Sequence, residues 1–169
     1  VEPDVAIAAA DDADVTATVD EIIEFTISEE KNPISTIEEE SGNEVQKSQN
    51  KTIALIDTGA NESYNIIDRV SMIDDNLSSS NAHGNKMVEA ITSQDTDVSI
   101  ISIRALGDDG KGTISSIVAG MEYAINKNVD IINLSIYAKN TIANSVLESE
   151  IQKAIDAGIT VVGAAGNDN

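Results

Sequence analysis

Two hydrophobic periods alternate along the second two-thirds of the chain. Thr52 to Ile56 (TIALI), Val98 to Ile103 (VSIISI), Asp130 to Leu134 (DIINL) and Ile159 to Ala164 (ITVVGA) are short, rich in β-branched residues and almost uniformly apolar. Strands covered on both faces have this character. Between them, Ile114, Ile117, Val118, Met121, Ala124 and Ile125 recur at helical spacing, as do Val146, Leu147, Ile151, Ala154 and Ile155. Gly158 falls where the second of these helices should stop. Strand, helix and strand in repeated order predict an α/β fold, an open parallel sheet with helices on both faces. In such a sheet, reactive groups collect beyond the carboxyl ends of the strands.

The first fifty residues follow neither period. They hold fourteen acidic residues against Lys31 and Lys47, with one aromatic residue and a polar run from Ser41 to Asn50. Charge of this density predicts a solvated acidic arm over residues 1–50, with the folded unit occupying 51–169. A short alternating piece, Val15, Ala17 and Val19 followed by Ile23, Phe25 and Ile27, is the one candidate for an edge strand in it.

Composition narrows the function. The 169 residues suffice for one domain, and 41% hydrophobic content is enough for a core. A formal net charge of −20 opposes nucleic acid and anionic membrane surfaces as partners. No apolar stretch approaches the roughly 20 residues of a membrane span, and Val1 does not open a signal pattern, so any targeting segment is expected upstream. With no cysteine there is neither a disulfide framework nor a thiolate metal site. An aromatic content of 2% is low for a complete domain and agrees with part of the fold lying elsewhere.

Three segments could carry chemistry. Asp57 follows the apolar run Ile53 to Ile56 and precedes Thr58 and Gly59, so a carboxylate stands at the carboxyl end of a buried strand with a glycine to turn the chain behind it. Read alone, it is equally a strand-ending Asp that caps a turn. His83, the only histidine, is followed by Gly84 and a segment able to continue as a helix. A solitary histidine is commonly inert, yet a buried carboxylate upstream of it would fix its tautomer and leave the other ring nitrogen to accept a proton. Val161 to Asn167 runs from a buried strand into Ala-Ala-Gly-Asn, which presents an amide donor at a strand end or makes a plain Gly-Asn turn.

Taken together, IALIDTGA from Ile53, HGNKMVEAI from His83, DIINLS from Asp130 and VVGAAGN from Val161 resemble successive motifs of the subtilisin-like serine proteases. The resemblance covers Lys51 to Asn169 and includes the stretch from Arg104 to Ile136. It implies a serine endopeptidase in which Asp57 is the orienting carboxylate, His83 the general base and acid, and Asn167 the side-chain donor to the oxyanion. It also implies that Ser135, Ile136 and Tyr137 lie on the edge strand that pairs with an extended peptide substrate. The family's nucleophile sits in a later Gly-Thr-Ser motif that these residues lack, so the chain alone is expected to be inactive and to need the remaining, C-terminal part of the catalytic domain as partner.

The resemblance implies no cofactor for catalysis and no metal in the chemistry. Structural calcium is the family's usual ion, and the acidic loops Asp74-Asp75 and Asp108-Asp109 could offer oxygen ligands or be solvated loops. Val1 to Val5 (VEPDV) resembles the closing strand of an inhibitory propeptide, which would make the arm the end of a propeptide plus a linker. Secretion or a cell-surface location is the implied setting.

Several positions depart from the family pattern. Asn85, Met87, Val88 and Glu89 stand where the family has Thr and small residues, Tyr137 where Gly is usual, and the interval from Asp57 to His83 is short. Two other readings compete. ALIDTGA also resembles the catalytic loop of retropepsin-like aspartic proteases, whose folds are all-β. A catalytically inactive, peptide-binding module would carry the same fold without a nucleophile. A sheet interrupted at Asn169 is expected to associate in isolation, and a monodisperse monomer in light scattering would contradict this.

Overall fold

The computed structural model describes residues 22–23, 50–63, 65–136 and 141–163. The elements in chain order are β1 (Ile22–Ile23), β2 (Thr52–Asp57), β3 (Ile66–Ser71), α1 (His83–Gln94), β4 (Ser99–Arg104), β5 (Gly112–Thr113), α2 (Ile114–Asn126), β6 (Ile131–Leu134), α3 (Thr141–Asp156) and β7 (Thr160–Gly163). Five strands form one sheet in the order β3-β4-β2-β6-β7, and every neighbouring pair is parallel. This is the open α/β sheet that the alternating periods predict. It is incompatible with the all-β fold of a retropepsin-like protease.

The uniform apolarity of β2 reflects burial on two sides. Ile53 and Leu55 pack with Ile100 and with Val88 of α1 in one core. Ala54 and Ile56 pack with Ile103, Ile132, Ile117 and Met121 of α2, and Ala154 of α3, in the other. Each fully buried Ile or Met side chain contributes roughly 1.5–3 kcal/mol to that layer. Helix α2 begins with a reciprocal cap: Thr113 Oγ1 accepts from the Ser116 amide at 3.1 Å, and Ser116 Oγ accepts from the Thr113 amide at 3.2 Å. Helix α3 ends where Gly158, at φ +82°, takes the left-handed conformation, and Ile159 N–H donates to Ala154 O at 3.0 Å.

The observed strands extend one residue past two of the apolar runs. Asp57 and Arg104 belong to β2 and β4 and are register partners. Strand β3 is not expected from the pattern. Asp68 and Arg69 interrupt its apolar run, and it lies at the sheet edge, half-buried, with a register shift between Ile66 and Asp68. Of the alternating piece in the arm, Ile22–Ile23 forms β1, which pairs antiparallel with Gly112–Thr113 outside the main sheet. The rest of the acidic arm up to residue 49, VEPDV included, lies outside the described residues.

Candidate active site

Asp57 closes β2 at the carboxyl edge of the sheet and is fully buried. Its main-chain carbonyl accepts from the Ala105 and Leu106 amides at 2.9 and 3.1 Å, which joins the end of β2 to the segment leaving β4. Its carboxylate Oδ1 accepts from the Thr58 amide at 2.6 Å. Beyond Thr58 the chain turns at Gly59, whose φ of +88° lies in the left-handed region that favours glycine.

That turn receives the start of α1. The Gly84 amide donates to Thr58 Oγ1 at 3.2 Å. A Cβ on Gly84 would lie 2.3 Å from the Gly59 carbonyl oxygen and 2.8 Å from its carbon, so only a glycine permits this approach. His83, immediately before it, is held by Asn81 Oδ1, which accepts from the His83 amide at 2.9 Å. The imidazole Nδ1 then sits 2.9 and 2.8 Å from the two oxygens of Asp57. The ring is 13% exposed, against 0% for the carboxylate. A proton on Nδ1 directed at the carboxylate leaves Nε2 with its lone pair, the arrangement of an oriented general base.

With this geometry, a parallel sheet bearing an Asp–His pair at its carboxyl edge, a subtilase family model matches residues 43–169. The chain belongs to the subtilase family. It is 31% identical over 128 residues to a thermostable alkaline protease of Halalkalibacterium halodurans, covering 68% of this chain and 35% of that one. It is 30% identical over 135 residues to subtilisin DY of Bacillus licheniformis, covering 72% of this chain and 48% of the relative. A relative from Bacillus subtilis named major intracellular serine protease is 27% identical over 143 residues, with 72% and 44% covered. Among solved structures, a cold-adapted subtilisin-like serine proteinase superposes with a TM-score of 0.61 at 27% identity, covering 70% of this chain and 47% of that one. The chain thus spans about half or less of the length of these subtilases.

The other residues expected at the site are distributed unevenly. Ser135 and Ile136 follow β6 directly. Ser135 Oγ accepts from Asn133 Nδ2 at 3.2 Å and donates to Met87 Sδ at 3.1 Å, one turn of α1 beyond His83. Ile136 packs against the larger core. Asn167 and Tyr137 lie outside the described residues.

The positions that depart from the subtilase pattern have visible local roles. Asn85 Oδ1 accepts from the Asn61 amide at 2.8 Å, Met87 meets Ser135, and Val88 is buried against the Ile53–Leu55 face. Glu89 is exposed. The short interval between Asp57 and His83 contains β3 and a loop in which Ser79 and Ser80 donate to Asp108 at 2.9 and 2.7 Å.

Arg104 carries no catalytic motif in the sequence, although a cation ending an apolar strand run is a readable signal. It is 4% exposed, and its Nη1 donates to Thr58 O and to Asp108 Oδ1, both at 3.0 Å. The hydroxyls of Ser80 and Ser79, with Arg104, hold the Asp108 carboxyl far below the usual carboxylate range. These contacts bear on calcium. Asp74 and Asp108 both face the Arg104 guanidinium, Asp74 at 3.6 Å, and Asp109 accepts from the Lys111 amide at 3.0 Å. A cation there would compete with the Arg104 guanidinium for Asp74 and Asp108. Among the described residues no group of three or more His, Cys, Asp or Glu is placed to hold a metal ion.

Proposed function

We propose that residues 51–169 form the N-terminal part of the catalytic domain of a subtilisin-type serine endopeptidase, preceded by an acidic arm over 1–50. The observation that carries this reading is the contact of His83 Nδ1 with the buried Asp57 carboxylate at 2.8 Å, at the sheet edge where α/β enzymes gather their reactive groups. Asp57 orients the imidazole and stabilises the imidazolium. Nε2 of His83 takes the proton of a serine hydroxyl, supplied from outside these residues, as that oxygen attacks the peptide carbonyl, and then returns the proton to the leaving amine. Asn167 donates to the oxyanion, and Ser135, Ile136 and Tyr137 pair with the substrate backbone.

The substrate is a peptide or protein, and the second partner is the remainder of the catalytic domain. No cofactor enters this chemistry. A secreted or cell-surface setting goes with the reading. One relative carries the word intracellular in its name, so cell fractionation is the direct check. Among the described residues no helix is long and apolar enough to cross a membrane.

The deciding experiment treats the protein, with the rest of its catalytic domain present, with a phosphonate probe for active-site serines and compares it with His83→Ala. Labelling that depends on His83 is expected. Absence of labelling from both would leave the inactive, peptide-binding reading in its place.

A further inference from the structure

Arg104 is the only cation among the buried polar residues of the described chain. Burying a guanidinium is costly unless acceptors and opposite charge meet it. Its partners come from three separate segments: Nη1 donates to Thr58 O after β2 and to Asp108 Oδ1 after β4, Nη2 stands 3.6 Å from Asp74 Oδ2 after β3, and Nε is buried without a hydrogen-bond partner among the described residues. The side-chain stem also belongs to the arrangement. A Cβ on Gly59 would lie 3.2 Å from Arg104 Cβ and 3.3 Å from its Cδ, so the methylenes pack directly beneath the glycine turn.

Thr58 links this cation to the Asp–His pair. Its amide donates to the Asp57 carboxylate, its hydroxyl accepts from the Gly84 amide at the head of the helix that carries His83, and its carbonyl accepts from Arg104. One buried residue therefore touches the carboxylate, the helix bearing the imidazole and the guanidinium. Displacement of Thr58 as a whole would move the donor to Asp57 and the acceptor for Gly84 together, and the hydrogen bond from the guanidinium to its carbonyl resists that displacement.

We propose that Arg104 is a positioning residue for the Asp57–His83 pair, acting through the carbonyl of Thr58. Its kinetic consequences rest on the protease reading, whereas its effect on the imidazole rests on geometry alone. A purely structural ion pair would lower stability when removed and leave turnover per folded molecule unchanged. A positioning residue lowers kcat while KM holds, because ground-state substrate contacts lie elsewhere.

The test uses the protein with its whole catalytic domain and three variants, Arg104→Met, Arg104→Lys and Asp108→Ala. Arg104→Met is expected to lower kcat about tenfold or more with KM within about twofold, and Arg104→Lys to recover part of the loss. In 15N-imidazole spectra, the Nδ1 signal of His83, identified by its disappearance in His83→Ala, should shift or broaden in Arg104→Met and return towards the wild-type position in Arg104→Lys. If Arg104→Met does not fold, Asp108→Ala takes its place: it releases Nη1 from the exposed side and should lower kcat by about threefold at unchanged KM. Wild-type kcat and an unmoved His83 signal in a folded Arg104→Met, or in Asp108→Ala where Arg104→Met does not fold, overturn the proposal. If the wild type takes no serine probe, the protease reading fails by itself, and the His83 spectrum still decides the role of Arg104.

Discussion

The two ends of the central strands use similar polar groups to opposite effect. At the amino end, Lys51 Nζ meets Asp130 at 2.8 Å, Asp130 also accepts from the Thr52 amide at 2.9 Å, and Asn65 Nδ2 donates to the carbonyls of Thr96 and Val98 at 2.9 Å each. Water reaches the ion pair there, with side chains 51% and 38% exposed. At the carboxyl end, Asp57, Thr58, Ser102 and Arg104 are at most 4% exposed and partner one another, the backbone and His83, with Asp108 and Asp74 meeting Arg104 from the solvent side. Solvent substitutes for a lost partner at the first end and cannot at the second. The exposed pair therefore contributes little, whereas the buried network is obliged to keep one geometry, since each unsatisfied member costs about 1–3 kcal/mol. A pair of groups that must be held to within tenths of an ångström belongs at the buried end.

The largest effect that would break this comparison is on catalysis. Asp57→Asn, assayed as kcat/KM with the rest of the catalytic domain present, is expected to lose about 10⁴-fold through the wrong imidazole tautomer. Its melting temperature should move much less than that loss implies. Next comes Gly84→Ala, which sets a methyl carbon against the Gly59 carbonyl oxygen, an atom of the backbone that cannot swing aside. Urea unfolding should show a loss of about 3 kcal/mol, together with displacement of His83 from Asp57.

Ser102→Ala probes the same buried end without touching the pair. It strands the Ala60 amide, which now donates to Ser102 Oγ at 2.9 Å, and should cost about 1–3 kcal/mol. A loss under about 0.5 kcal/mol would mean that water reaches the site and that the contrast between the ends is smaller than drawn.

Asp130→Asn samples the exposed end and should cost less than about 1 kcal/mol at neutral pH. The Lys51 ammonium first, and then the Thr52 amide, hold the Asp130 carboxyl below its ordinary value of 3.8. A depressed folded value means that this stabilisation is present above pH 3.8 and lost as the pH falls through the folded value. The stability difference between wild type and Asp130→Asn should therefore close on acidification. A gap that widens towards low pH would contradict the sign.

Much of the fold is legible along the chain because period is a local property. The runs at Thr52, Val98, Asp130 and Ile159 read as doubly covered strands, and each became a strand of the parallel sheet. Apolarity alone ended the first two runs at Ile56 and Ile103, yet main-chain pairing continues to Asp57 and Arg104, because hydrogen-bond ladders do not depend on side-chain polarity. Strand β3 escaped because an edge strand is buried on less of its surface and tolerates Asp68 and Arg69. Asp57 and His83 stood out by their place beside a strand end and a helix start, and by the subtilisin-like motifs around them. Arg104 has no such motif, and its importance depends on a carbonyl 46 residues away.

The sequence by itself determined the order and kind of the elements, the faces that would be buried and the residue types offered at the strand ends. All of these follow from spacing along one chain. Tertiary structure alone decided that the Asp57 carboxylate would meet an imidazole 26 residues distant, that Gly84 would have no room for a side chain, and that a buried arginine would lie beneath the turn at Gly59. Such distances are set by how β2, β4 and α1 pack together. Packing is a property of segments far apart in the chain, and no local period encodes it.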